Sequence, residues 1–449
     1  MQSKSFSLKL NHKIRPFNKS IKVDSDKSLS IRSFLIGSIC QNISFAKNVL
    51  ESEDVISTIS ALHKLGVKIQ KIKPGSYKIY GKGLGSLFAK KKLTLNFGNS
   101  GTLARLLIGI LSTTPGIEIN VRGDRSLNKR SMKKLIEIMS EFGAEFLPKN
   151  KFNFPLKLIS TEMPVCINYK AGVSAQLKSA VILAGLNSFG TTEVIENNRS
   201  RNHTENMLLK NSQSIKIKKG KKKIIKIFGK KYLNPINIDV PGDPSSAAFF
   251  TALTLLNSGS SLKIKNVGLN STRIGFYELL KKHGAKIKFY NKRKKNNELM
   301  GDISISSGKL KKPIIASKDF YEKTTDEFPI LFCIAALTEG TSIFKGIEDL
   351  ANKESNRIKE MQNVLNQIGV KSLAKKNEIK IYGKSFIENK NKNLTVPNLG
   401  DHRICMSVSI LSLVTGIKTK INNFETVKTS SPNFLNIIKL LGAKFEVSK

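Results

Sequence analysis

The chain contains no tryptophan, and only four cysteines and five histidines among 449 residues. Cys40, Cys166, Cys333 and Cys405 lie far apart in apolar surroundings, with no C-x-x-C pair and no histidine at ligand spacing. That scarcity excludes a disulfide framework and a zinc module, and predicts four buried free thiols. Long apolar runs are missing too. The longest, "FPILFCIAAL" from Phe328 to Leu337, is about half a membrane span. The opening "MQSKSFSLKLNHKIRPF" lacks the apolar block of a secretory signal. With 40% apolar residues, the sequence reads as a soluble, globular, cytoplasmic protein with material for roughly two to four domains.

Acidic residues are also few, 33 against 76 lysines and arginines, for a formal charge of +43. Such a balance suits a basic nucleic-acid-binding protein. The lysines, however, are scattered along the whole chain, and no motif that reads bases is visible. The scarce cation is arginine, twelve against 64 lysines. Where lysine is the default, an arginine marks a place that needs a planar, bidentate fork. Nine of the twelve fall in or near the segments described next; Arg15, Arg273 and Arg293 do not.

What the chain does have is a repeat. Six apolar segments, each entered through a small or polar turn, begin at Ser28, Gly101, Ser174, Ser245, Asp326 and His402, at intervals of 73, 73, 71, 81 and 76 residues. A second marker recurs in register: "KLGVKI", "EFGAEF", "KHGAKIKF", "QIGVKS" and "LLGAKFEV" each read as the end of an amphipathic helix, a left-handed glycine and a strand. The copy near Leu208 to Lys219 has lost its glycine. Because the six segments are apolar on nearly all faces, they predict buried helices inside a shell of strands. The expected fold is α/β, with two domains of three repeated units each. The cross-over falls at Val240 and Pro241, and the residues before about Lys22 join the second half, giving domains 23–240 and 241–449 with 1–22.

Helix starts carry unpaired backbone N–H groups that favour anions. The six entrances hold "DKSLSIR", "GNSGTLAR", "GVSAQLKSA", "VPGDPSSAA", "TTDEFPI" and "GDHRICM". In the first, Ser28 and Arg32 share a helix face, and in the second, Arg105 lies one turn in. With Arg130 in "GDRSLNKR", Arg201 in "SRNHTE", and Lys353 and Arg357 in "NKESNR", these entrances could together hold two anionic substrates.

In that order and over nearly the whole length, "DKSLSIRS", "GNSGTLAR", "SAQLKSA", "PGDPSSAAF", "DEFPIL", "KESNR" and "DHRICM" resemble the enolpyruvyl shikimate-phosphate synthases, the 3-phosphoshikimate 1-carboxyvinyltransferases. "SAQLKSAVILAGLN", "RNHTE" and "DEFPIL" are closer to the branch known for glyphosate-tolerant members. The resemblance implies an inside-out two-domain α/β barrel closing on shikimate 3-phosphate and phosphoenolpyruvate, in a monomer with no cofactor, no metal, and no membrane or specific nucleic-acid partner. It implies that Lys27, Ser28, Arg32, Ser174, Ala175, Gln176, Arg201, Asp326 and Lys353 face shikimate 3-phosphate. Lys27, Gly101, Arg130, Gln176, Arg357 and Arg403 would hold phosphoenolpyruvate. Asp326, Glu354 and Lys27 are the implied catalytic acids and bases. Gly101 would leave room for glyphosate, where tolerant relatives carry alanine.

The sequence departs from the family pattern at Ser131, where proline is usual, at Asn356, where aspartate is usual, and before Pro432, where phenylalanine is common. Lys428 lies one position off the register of a lysine found in many relatives, and is left out of the site. The sister enzymes that act on UDP-N-acetylglucosamine use a reactive cysteine in the first half. No cysteine lies between Cys40 and Cys166 here.

Overall fold

The computed structural model describes residues 5–197, 199–308, 310–388 and 392–448. The chain divides into two compact units. One holds Ser25–Val240 together with Lys294–Glu298; the other holds the described residues up to Asp24, Pro241–Arg293 and those from Leu299 onward. Each has its own hydrophobic core.

Six helices are buried along nearly their whole length: Lys27–Ile39, Gly101–Ser112, Ala175–Gly185, Pro244–Leu256, Phe328–Ala336 and His402–Thr415. They are the first to sixth buried helices below. Five start on a side-chain cap, with Asp26, Ser100, Ser174, Asp243 and Asp401 accepting a backbone N–H from the first turn. The fifth departs from expectation. It begins at Phe328 with a proline in its first turn and no side-chain cap, so Asp326 sits in the turn that precedes it rather than at its entrance.

Six four-stranded sheets accompany the helices among the described residues, all with one topology. In the second repeat, Thr94–Asn96 runs parallel to Glu118–Arg122, which pairs antiparallel with Leu156–Ile159, itself antiparallel to Glu145–Leu147. A parallel pair needs a long crossover, and the buried helix supplies it. A surface helix then leads to the closing hairpin. The glycines expected after the surface helices, Gly66, Gly143, Gly284, Gly369 and Gly442, all have φ between +73° and +101°. Only glycine adopts that backbone freely. In the third repeat the glycine is replaced by a longer turn held by Asn211, whose N–H donates to Leu208 O and whose carbonyl accepts from Ile215 N.

Sheet closure borrows strands across the sequence. Asn237–Asp239 pairs parallel with Ile43–Lys47, and Asn18–Ile21 pairs parallel with Ser261–Ile264. Ser7–Leu10 lies between Lys418–Ile421 and Glu446–Ser448. The boundary falls after Asp24 rather than Lys22, because the Asp24 carboxylate accepts from Ser431 Oγ (2.8 Å) and Asn433 Nδ2 (2.7 Å) while its carbonyl accepts from Asp243 N (2.8 Å). Close helix packing depends on small residues: a Cβ at Gly109 would stand 2.7 Å from Ala180 O on the third helix. Among the described residues no helix is long and apolar enough to cross a membrane.

Cys40, Cys333 and Cys405 are buried, and burial pushes all three thiols up. Cys166 corrects the expectation. It is exposed, in the segment just before the Asn168–Ala171 strand, where the apolar neighbours Val165 and Phe189 are exposed as well.

Candidate active site

In the Ser25–Val240 unit, Lys27 opens the first buried helix and its ammonium lies 2.9 Å from Asp54 Oδ2, on the neighbouring Glu53–Lys64 helix. One turn on, Arg32 is only 4% exposed. Its Nη1 donates to Ser28 O (3.2 Å), its Nε to Thr204 Oγ1 (2.9 Å) and its Nη2 to Ser179 Oγ (3.2 Å). The shared face of Ser28 and Arg32 is therefore real, and Thr204 and Ser179 complete it. Both lie outside what helix periodicity could show, since one is 172 residues away.

The second and third entrances meet. Arg105 Nη1 donates to Gln176 Oε1 (2.9 Å) and to Gly101 O (3.2 Å), while Gln176 Nε2 donates to Thr102 Oγ1 (3.0 Å). Arg130 is held by Asn99 Oδ1 at 2.7 Å. A Cβ on Gly101 would stand 2.6 Å from Arg105 Nη1 and 3.3 Å from Arg130 Nη1, so two guanidinium groups flank this one helix start. Ser174 caps the third helix through Leu177 N and Ala175 begins it. Arg201, half-buried, directly follows the buried Ser200. Ser131 Oγ accepts from Lys133 N (3.3 Å), turning the chain into the Lys133–Glu141 helix.

In the other unit Arg357 is the centre. At 1% exposure its Nε donates to Asp401 Oδ2 (2.9 Å), its Nη2 to Glu354 Oε2 (2.6 Å), and its Nη1 lies 3.7 Å from Asp326 Oδ1. Burial pulls the guanidinium pKa down, but Asp401, Glu354 and Asp326 more than offset it and raise it above the usual value, so it stays charged. Asp401 also caps the sixth helix through Arg403 N (2.9 Å), linking Arg357 to that entrance. Asn356 caps the Arg357–Gln367 helix, its Oδ1 accepting from Lys359 N (3.1 Å). Lys353 has its ammonium 2.5 Å from Asp349 Oδ2, which also accepts from Tyr321 OH (2.7 Å). Lys428 is exposed, with its ammonium over the Phe6 ring.

Arg403 is 4% exposed and packs its guanidinium 5.9 Å from the Phe249 ring centroid. Its Nε and Nη1 are buried and meet no hydrogen-bond acceptor among the described residues. Charged donors buried in this way are costly unless an anion completes them. Arg273, which the sequence set apart from every entrance, is brought to the fourth one. It is 2% exposed, with Nη2 donating to Asp243 Oδ1 (3.0 Å) and Ser245 Oγ (2.8 Å). Its scarcity as an arginine was the available signal.

The chain is similar to known proteins over nearly its whole length. Residues 12–438 match the family model described as EPSP synthase (3-phosphoshikimate 1-carboxyvinyltransferase). A 3-phosphoshikimate 1-carboxyvinyltransferase of Zymomonas mobilis is 37% identical over 442 residues, covering 98% of this chain and 97% of that protein. One from a Sulfurihydrogenibium species is 38% identical, covering 94% and 97%. Among solved structures, EPSP synthase from Acinetobacter baumannii superposes with a TM-score of 0.84 at 34% identity, covering 99% of this chain and 100% of that one. The enolpyruvyl transferase NikO of Streptomyces tendae shares the fold, with a TM-score of 0.76 at 12% identity.

Proposed function

The chain belongs to the EPSP synthase family, and on that premise we propose that it transfers the enolpyruvyl group of phosphoenolpyruvate to the 5-hydroxyl of shikimate 3-phosphate, releasing phosphate. The observation that carries this reading is Arg403, a buried guanidinium with two donors that the described residues do not satisfy, joined through Asp401 to Arg357. A carboxylate-and-phosphate substrate is the natural partner of two such forks.

In the reaction the 5-hydroxyl oxygen bonds to C2 of phosphoenolpyruvate while C3 takes a proton. The tetrahedral adduct then loses a proton from C3 and its C2–O bond to phosphate. Asp326 accepts the hydroxyl proton; Glu354 and Lys27 deliver and retrieve the C3 proton. Their ion pairs with Arg357 and Asp54 support this by holding each group oriented. Phosphoenolpyruvate is held by Lys27, Gly101, Arg130, Gln176, Arg357 and Arg403, and shikimate 3-phosphate by Lys27, Ser28, Arg32, Ser174, Ala175, Gln176, Arg201, Asp326 and Lys353. The guanidinium groups stabilise charge as it moves from carboxylate to leaving phosphate. Written this way, the reaction balances without a cofactor.

The protein works as a cytoplasmic monomer on these two small molecules. Its "SAQLKSAVILAGLN" and "RNHTE" segments support placement in the branch known for glyphosate-tolerant members, yet Gly101 itself argues for sensitivity. A methyl there would press on Arg105, so the bare glycine spares the longer inhibitor a further crowding of this helix start. The test is phosphate release by the purified protein. Release that requires both substrates together is expected; none with both present would overturn the reading.

A further inference from the structure

Behind the third helix entrance lie four charges to which the reaction gives no role. Lys178 and Glu196 have fully buried side chains, Glu205 is 1% exposed and Lys223 is 11% exposed. Lys178 Nζ is 2.7 Å from Glu196 Oε1 and 2.9 Å from Glu205 Oε1, and Lys223 Nζ is 3.1 Å from Glu196 Oε2 and 2.9 Å from Glu205 Oε1. Two lysines and two glutamates thus close a neutral square. Burial alone would raise the glutamate pKa values, but the lysines more than offset it and hold both below the usual carboxylate range.

Apolar side chains of the same volume would fill this space with less desolvation, so stability is a poor reason for burying four ions. What the square touches suggests another. Glu196 Oε1 also accepts from Ser200 N (2.8 Å) and Ser200 Oγ (2.7 Å), clamping the residue just before Arg201. Glu205 lies on the short helix His203–Leu208, next to Thr204, whose Oγ1 accepts from Arg32 Nε and donates to Ser179 Oγ (2.9 Å). Ser179 in turn is the neighbour of Lys178 on the third helix. Every path from the square ends on a residue assigned to shikimate 3-phosphate, and on its phosphate-binding cations in particular.

We propose that Lys178, Glu196, Glu205 and Lys223 are positioning residues that set Arg201 and Arg32 for the phosphate of shikimate 3-phosphate, an inference that rests on the function proposed above. Their charges fix the clamp geometry because each carboxylate must meet both ammonium groups, and Glu196 the Ser200 backbone as well, which an apolar filling cannot dictate.

The test measures both substrate KM values and kcat for the native chain and for Lys178→Met/Glu196→Met, which leaves the Lys223–Glu205 pair balanced. The expected result is a rise of about tenfold or more in KM for shikimate 3-phosphate, with KM for phosphoenolpyruvate within about twofold and kcat within about threefold. A merely structural role would lower the folded fraction, and with it kcat, while leaving both KM values unchanged. That result, or an equal rise in both KM values, overturns the proposal. Should the double variant not fold, Glu196→Gln decides, since it keeps volume and an acceptor for Ser200. About a threefold rise in the same KM is then expected, and an unchanged value overturns the proposal. A native chain without two-substrate turnover brings down the functional reading and this inference with it. A normal native chain beside an unaffected variant brings down the inference alone.

Discussion

The fourth and sixth helix entrances, in the same unit, answer one physical problem in opposite ways. Each begins on an aspartate cap and keeps a buried arginine beside it. At the fourth, Arg273 is met by Asp243 and Ser245, and Ser245 bonds on to Glu327. The protein supplies its own anions there. At the sixth, Asp401 is committed to Arg357 and to the Arg403 backbone, and the Arg403 side chain keeps two donors unmet among the described residues. A repeated scaffold therefore does not carry function by its shape. What differs is how far the chain itself supplies the counter-charge at a helix start.

The comparison can be broken most sharply at Asp326 and Arg403. Asp326→Ala should lower kcat by about 10²–10⁴-fold with little change in melting temperature, measured by steady-state phosphate release. Arg403→Ala should reduce kcat/KM for phosphoenolpyruvate by about 10²–10³-fold and leave the fold at least as stable, because it removes an uncompensated buried charge. Near-native turnover in either variant removes that residue from the mechanism. Arg273→Met should do the reverse, costing about 3–5 kcal/mol of stability in denaturant unfolding while the folded fraction keeps native KM values. A changed KM there would mean that the fourth entrance also meets substrate.

A pH series sharpens the contrast between self-supplied and ligand-supplied charge in the other unit. Glu205 is held below its usual value of 4.5 in the folded protein, so its pairing stabilises the fold above that pH and is lost as pH falls through the lowered value. Lys223 is raised above 10.5, so its contribution persists until pH rises past that point. Glu205→Gln should therefore melt lower than the native chain across neutral pH, with the gap closing in acid. A gap that is constant with pH would show that volume rather than charge matters. The smallest effect is expected at Gly101→Ala. Its methyl must displace the end of the Arg105 side chain, so glyphosate inhibition should weaken by about tenfold or more while KM for phosphoenolpyruvate rises by less.

Much of this was legible in the residues. Apolar content on all faces marked the six buried helices, and the expected starts at Gly101 and His402 coincide with the observed ones. Capping chemistry located three more to within one residue. Asp326 misled because an acidic residue before a proline reads like a cap, yet Pro329 sets the start two residues later. Local patterning also paired Ser28 with Arg32. It could not reveal Thr204 beside Arg32, Asp54 beside Lys27 or Arg273 at the fourth entrance, because those partners are brought together by tertiary packing between separate segments. The same limit hid the exposure of Cys166, whose apolar neighbours in sequence face outward.

The strand Ser7–Leu10 is among the earliest described parts of the chain, yet its two partners, Lys418–Ile421 and Glu446–Ser448, are among the last. On a ribosome adding about 5–20 residues per second, that strand waits on the order of tens of seconds with both hydrogen-bonding edges open. The unit of Ser25–Val240, which needs only Lys294–Glu298 from later in the chain, can meanwhile fold before those last strands emerge. Biosynthesis thus imposes an order of assembly that the symmetric repeat does not, and the nascent amino-terminal segment is where a chaperone would be needed most.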